Sequence, residues 1–371
     1  MKKYVTAVPT LVAVIAALGV GILLLLAVGA PPLEALSLLV EGSFGSASKI
    51  SITLLAWSPL ILAGAGLVIT FAAGLWNIGV EGQIIIGAIA ASWVARVLPG
   101  PSWVVIPATI IAGAVGGMIW ALLAGVLKTH GNVHEIFGGL GLDFVAAGLA
   151  TYLVIGPWSR TGVASTSGTD IFREETWMPE LQAFGVGWPV LPVALGLASV
   201  VLVWVLLRGT LFGLRLKAVG NNAYSSYLRG IPTNQYVLGA FALGGGLAGI
   251  AGTVQVTAFH HKLVPAISGG YGFLAILVVL LAGFSAVAIA PIALFFVAIS
   301  VGSTQLDLRL GLDSAFGGVL QASSCCSFSS VGPGHSSAQA ALSLRRRTRN
   351  RGSYVQLDRR GRCASDHRRN G

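Results

Sequence analysis

The sequence predicts an all-α polytopic membrane protein with about eight to ten transmembrane helices, some of them short or broken. Three observations carry that reading. Hydrophobic residues make up 55% of the 371 positions. Charged residues make up only 10%, where a soluble domain carries about 25%, so most of the surface does not face water. Fifty glycines in so apolar a chain fit helices whose backbones approach closely in lipid.

The first element follows Met1-Lys2-Lys3 as the apolar run Val8–Val28. It has about the 20 residues that cross a bilayer, more than a signal-peptide core, and Ala30-Pro31-Pro32 is a poor cleavage site, so it reads as a retained helix. Residues 31–50 read as an amphipathic connector at the interface. Apolar segments follow at 51–75, 84–98, 103–127, 136–155, 189–207, 235–258, 271–284 and 288–306. Two of these are short and glycine-rich, and they are expected to be tilted, broken or re-entrant.

Charge gives the orientation. With a cytoplasmic N-terminus, Lys128 and the loop 208–234 lie inside, and that loop carries Arg208, Arg215, Lys217 and Arg229 with no acid. The long loop 157–188, with Asp170, Glu174, Glu175 and Glu180, then lies outside. This obeys the positive-inside rule, with Arg160, Arg173 and Lys262 as outer-side exceptions.

The net charge of +10 is localised. Residues 1–320 hold thirteen Lys/Arg against eleven Asp/Glu, whereas residues 321–371 hold ten Arg against two Asp. All three cysteines, Cys325, Cys326 and Cys363, also lie in that tail. They form neither a disulfide framework nor a zinc pattern.

No Gly-x-x-x-x-Gly-Lys-Ser/Thr occurs, so a nucleotide would have to be bound by a partner. No nucleophile elbow or paired-histidine metal motif occurs either. His260-His261 is too short for a metal site and reads as an interfacial pair; no cofactor and no metal is expected.

Two segments stand out. Leu75–Gln83 places Asn77, Glu81 and Gln83 among Gly74, Gly79 and Gly82, between two apolar helices. A carboxylate is costly in lipid, so Glu81 is either paired, hydrogen-bonded or facing a cavity, or else solvated in a headgroup turn. The second segment runs from Leu211 through Arg215, Lys217, Gly220, Asn221 and Gly230 to Pro232. It has the length of a short basic helix bounded by Gly220 and Gly230-Ile231-Pro232, which either docks into a partner's groove or rests on anionic headgroups. Asp143 interrupts an apolar run as a path residue or a helix-to-helix acceptor. Gly244-Gly245-Gly246 with Gly249 and Gly252 makes a small-residue packing face.

The run Asn77-Ile78-Gly79-Val80-Glu81-Gly82-Gln83 resembles the hallmark of the branched-chain-amino-acid and simple-sugar permeases of bacterial ABC importers, in their nucleoside and simple-sugar branch. Gly213–Ile231 resembles that family's cytoplasmic coupling loop. Gly270-Tyr271-Gly272-Phe273, Ala282-Gly283 and Pro291 resemble its late helices, and Lys128 with Asn132–Ile136 resembles its mid-chain inner loop. The resemblance runs from about residue 1 to 320, in order. It implies a permease subunit, without covalent chemistry, importing a nucleoside or simple sugar through a bacterial cell (inner) membrane. It also implies cytoplasmic ATP-binding subunits, a second permease chain in a heterodimer, and an extracytoplasmic solute-binding protein, for which the loop 157–188 is a candidate dock. By the same resemblance Asn77, Glu81 and Gln83 belong to the substrate pathway or its gate. Arg215, Lys217, Gly220, Asn221 and Gly230 belong to the ATPase coupling loop. The competing readings are an ion-coupled transporter, with Glu81, Glu135 and Asp143 as its only embedded ionisable residues, and a membrane scaffold with a basic tail.

Residues 1–320 form the permease domain in this reading. After Gln321 the family calls for one more helix, and this chain instead becomes Ser- and Arg-rich through 371. Read one base back with TCN serine codons, every codon from the Ala322/Ser323 junction to the Ser329/Ser330 junction has T at its centre and encodes an apolar residue. A shifted reading frame is therefore one expectation. A disordered basic tail lying on anionic lipid or nucleic acid is the other, although the permease reading itself expects lipid and no nucleic acid.

Overall fold

The structure is a computed structural model, and it describes residues 31–131, 133–160, 167–183 and 185–310, with Gly19, Leu26, Gly318 and Gln321. The first expected helix, Val8–Val28, and the tail after Gln321 lie outside the described residues but for Gly19 and Leu26, and so does Asn132.

Eleven α-helices make up most of the described chain. In order they are α1 (Pro32–Phe44), α2 (Ala47–Ala72), α3 (Val80–Val97), α4 (Ser102–Thr129), α5 (Glu135–Ile155), α6 (Val190–Gly209), α7 (Leu211–Asn221), α8 (Ala223–Leu228), α9 (Thr233–Val254), α10 (Tyr271–Leu281) and α11 (Ala286–Leu310). Among the described residues, seven are long and apolar enough to cross a membrane: α2 to α6, α9 with its extension to Phe259, and α11 through Leu306.

Helix α2 is the centre, with 78% of its apolar window buried, against 28% for α4 and for α5. Leu60, Ile61, Leu62, Leu67 and Ile69 of α2 pack with Phe241 of α9 and Phe296 of α11 in the main core. The small-residue face of α9 works as packing. Added carbon at Gly249 would meet the backbone of Gly113 and Gly117 of α4, and added carbon at Gly252 would meet the carbonyl of Ile84 of α3. Such contacts between main chains let dispersion act where lipid removes any hydrophobic drive. Helix α1 buries Ala35, Leu38, Leu39 and Gly42, a three-and-four spacing that lays it along α11, and Ser43 donates to the Ala298 carbonyl at 2.5 Å.

The helix ends gather into two groups. At one end, Arg173 donates to the carbonyls of Leu98 (2.6 Å) and Ala95 (3.3 Å), and the Phe172 amide donates to the His261 carbonyl. Ser51 donates to the Gly187 carbonyl at the same end. The segment 167–188 is thus a folded cap with a 3₁₀ turn (Glu174–Thr176) and a two-stranded antiparallel hairpin, β1 (Leu181–Ala183) and β2 (Val186–Trp188). At the other end Gly74 meets Gly220, Lys217 reaches the Leu207 carbonyl, and Lys128 pairs with Glu135 at 2.5 Å. Two of the outer-side exceptions to the charge rule have structural work: Arg173 holds the cap, and Arg160 lies 3.6 Å from Asp170.

Candidate functional site, a broken helix held by Glu81

The segment 260–270 turns back into the bundle without helix, and α10 starts below it. Its eleven residues rise about 16 Å, roughly half of a 30 Å hydrocarbon core. The helix is therefore a half-span. Its N-terminal neighbour Gly270 sits at φ +77°, a left-handed conformation that glycine enters without steric cost. A half-helix of this kind leaves backbone N–H groups and the positive end of its dipole within the bundle.

Glu81 fills that position. Its Oε1 accepts from the Gly270 amide at 3.0 Å and its Oε2 from the Gly272 amide at 2.7 Å. Burial of the carboxylate, 7% exposed, is thus offset by two charge-assisted hydrogen bonds and the helix dipole. The fit is close, because a carbon added at Gly272 would meet Glu81 Oε2 at 2.5 Å.

The neighbouring residues fix Glu81 from the other side. Asn77 and Gln83, 2% and 1% exposed, exchange two amide hydrogen bonds of 3.1 and 2.9 Å, closing the turn before α3. The Gly82 amide donates to Asp143 Oδ1 of α5 at 2.7 Å. Asp143 Oδ2 and Trp120 Nε1 are buried without a hydrogen-bond partner. The structure thus buries Asn77, Glu81 and Gln83 together, with Asn77 and Gln83 bonded to each other and Glu81 to the amides at the start of α10. Asp143 serves as a helix-to-helix acceptor there.

The second segment forms two helices, because Asn222 ends α7 and caps α8 by accepting from the Ser225 amide at 2.9 Å. Thr210 caps α7 by accepting from the Gly213 amide at 3.1 Å. Arg215 donates to the Tyr236 hydroxyl at 3.3 Å. Gly230, at φ +78°, turns the chain towards α9. Gly220 lies directly on the backbone of Ala72 to Gly74. Arg215, Lys217 and Asn221 are exposed, as are Leu211, Leu214, Tyr224, Tyr227 and Leu228. That exposed face therefore mixes apolar and basic side chains. Beside it, a cavity of ≈510 Å³ opens between α2, α6, α7 and the α10–α11 turn.

At the opposite end His261, at φ +53°, stacks on Trp177 with centroids 4.2 Å apart. Each imidazole Nδ1 meets a carbonyl, His260 that of Gln255 and His261 that of Thr257. Both lie against a π-helical turn, Gln255–Phe259, that the sequence did not foretell. Among the described residues no cluster of potential metal ligands occurs.

Fold and site together define a multi-pass helical membrane protein built around a broken helix, with an exposed basic and apolar face at one end. The chain belongs to the family described as branched-chain amino acid transport system / permease component, which matches residues 49–321. It is a transport subunit and not itself an enzyme. Its family works with ATP-binding subunits and a solute-binding protein. It is 31% identical to a glucose ABC transporter permease of Haloferax volcanii, over 83% of each chain. It is 28% identical to a guanosine ABC transporter permease of Bacillus subtilis, over 82% of this chain and 87% of that one. It is 27% identical to a nucleoside ABC transporter permease of Lactococcus lactis, over 79% and 82%.

Proposed function

We propose that this permease imports a nucleoside or simple sugar, with its N-terminus and the α7–α8 face in the cytoplasm and the 167–188 cap outside. The single observation behind the solute is that relatives named for guanosine, nucleoside and glucose transport match over most of both chains. The side of the membrane rests on the unbalanced Arg and Lys at the α7 end.

In this reading α7 and α8 receive the motion of a partner ATPase. Arg215, Lys217 and Asn221 face it, and Gly220 and Gly230 shape the contact. Asn77, Glu81 and Gln83 act on the gate as positioning residues, holding the half-helix α10 from behind. A related second permease chain completes the pathway, and the exposed acids Asp170, Glu174, Glu175 and Glu180 offer a dock for the solute-binding protein. The tail 321–371 stands in place of a last helix through a shifted reading frame. The family match ending at residue 321 supports that, and sequencing the gene across codon 321 in several isolates tests it.

The deciding experiment is uptake of radiolabelled guanosine and glucose by cells carrying this gene with its neighbours. A version whose ATPase has its catalytic glutamate replaced by glutamine is run beside it. Uptake of one solute, abolished by that replacement, is expected. Uptake that persists and collapses with a proton uncoupler would overturn the reading.

A further inference from the structure

The cavity beside α7 shares Lys217 with the proposed coupling face, but the coupling role does not account for Arg208 beside it. Its basic lining residues are Arg208 and Lys217, and no acidic side chain lines it. Arg208 is held over the Trp204 ring, 5.9 Å from the centroid, and Lys217 is anchored on the Leu207 carbonyl at 2.6 Å. Both cations are therefore placed before any ligand arrives. Phe284, at φ +61° and half exposed, forms the opposite wall.

The surroundings identify the occupant. Leu197, Val201, Trp204 and Arg208 recur at four, three and four residues, one face of α6. The first three are exposed, so an apolar stripe about 10 Å long runs up α6 to Arg208. A stripe ending in an indole and a guanidinium matches a lipid's acyl chain, interfacial region and phosphate in turn. Basic pockets between helices at the cytoplasmic surface bind anionic headgroups.

We propose that this cavity is a specific site for an anionic glycerophospholipid, its phosphate held by Arg208 and Lys217 and one acyl chain lying on Leu197, Val201 and Trp204. The lipid would bridge the end of α6, the α7 helix and the α10–α11 turn. The inference rests on the proposed cytoplasmic placement of α7. Its test measures retention and not transport, so the two readings fail separately.

The importer, with its ATPase subunits, is reconstituted in phosphatidylcholine mixed with phosphatidylglycerol and then extracted. Retained lipid is counted by native mass spectrometry. Each basic group near an anionic headgroup is worth roughly fivefold in affinity, so the Arg208→Gln/Lys217→Gln pair should lower phosphatidylglycerol retention roughly 25-fold. Lys217→Arg, which keeps the charge, should retain the lipid, and so should Arg229→Gln, which lies outside the cavity. If the double variant does not fold, Lys217→Gln against Lys217→Arg gives the same comparison. Equal retention by a folded double variant, an equal loss in Arg229→Gln, or no retention in the ATPase-bound wild type would each overturn the proposal.

Discussion

Glu81 shows what one side chain accomplishes in this protein. Its carboxylate satisfies two amides at the start of α10, and a hydrogen bond to a charged group contributes about 2 kcal/mol. Glu81→Gln keeps the shape but leaves one amide facing an NH₂ group. It should cost about 2 kcal/mol, read as a lower Tm in detergent, and should depress uptake without altering solute preference. Asp143 poses the reverse case, with one oxygen occupied by the Gly82 amide and the other orphaned. Asp143→Asn keeps the acceptor and leaves no carboxyl to ionise at the buried site, so Tm should hold or rise. Asp143→Leu strands the Gly82 amide and should cost about 1–3 kcal/mol. The importance of Glu81 was legible in the sequence, since a carboxylate between apolar helices needs a partner. The partner was not, because it is backbone about 190 positions further on, and an amide N–H carries no residue signature.

Elements reward periodicity and hide their breaks. The spans α2 to α6, α9 and α11 follow apolar runs, and the expected short glycine-rich segment at 271–284 proved to be a half-helix. The expected short helix bounded by Gly220 and Gly230 gives way to two, α7 running on to Asn221 and α8 following it, because Asn222 competes for the backbone as a cap. The π-helical turn was invisible, since one extra residue in a turn leaves the apolar pattern intact. At that turn burial holds the imidazoles of both His260 and His261 below their ordinary value. They stay neutral in the fold, so the unfolded segment takes the proton first as pH falls. Stability is whole above pH about 6.5 and is lost as pH drops towards the depressed values. Thermal unfolding across that range should show a falling Tm, with a smaller fall in His261→Gln. For α7, Gly220→Val would force a side chain into the Ala72 to Gly74 backbone. Uptake should then fail while the partner's ATPase still turns over, which a paired transport and hydrolysis assay checks.

At the scale of the molecule, the folded cap 167–188 and the α7–α8 face sit at opposite ends of the bundle, so cysteine labelling from each side of sealed vesicles tests the orientation. With Cys325, Cys326 and Cys363 replaced by serine, labels at Glu175→Cys should react only from outside, and labels at Tyr224→Cys only from inside. The permease class was legible because a short motif and several flanking segments occur in order along 300 residues. The solute was not, because the polar groups at the centre are spent on one another. The contact of Gly220 with the main chain at Ala72 to Gly74 carries a last consequence. Two backbones touch there with no side chain between them, so there are no rotamers to yield. Glu81 lies only seven residues further along the chain than Gly74, behind a turn locked by the Asn77 and Gln83 amides. On the coupling role proposed for α7, a shove on that helix should therefore be felt at the seat of α10, through a joint that has no side chain to give way.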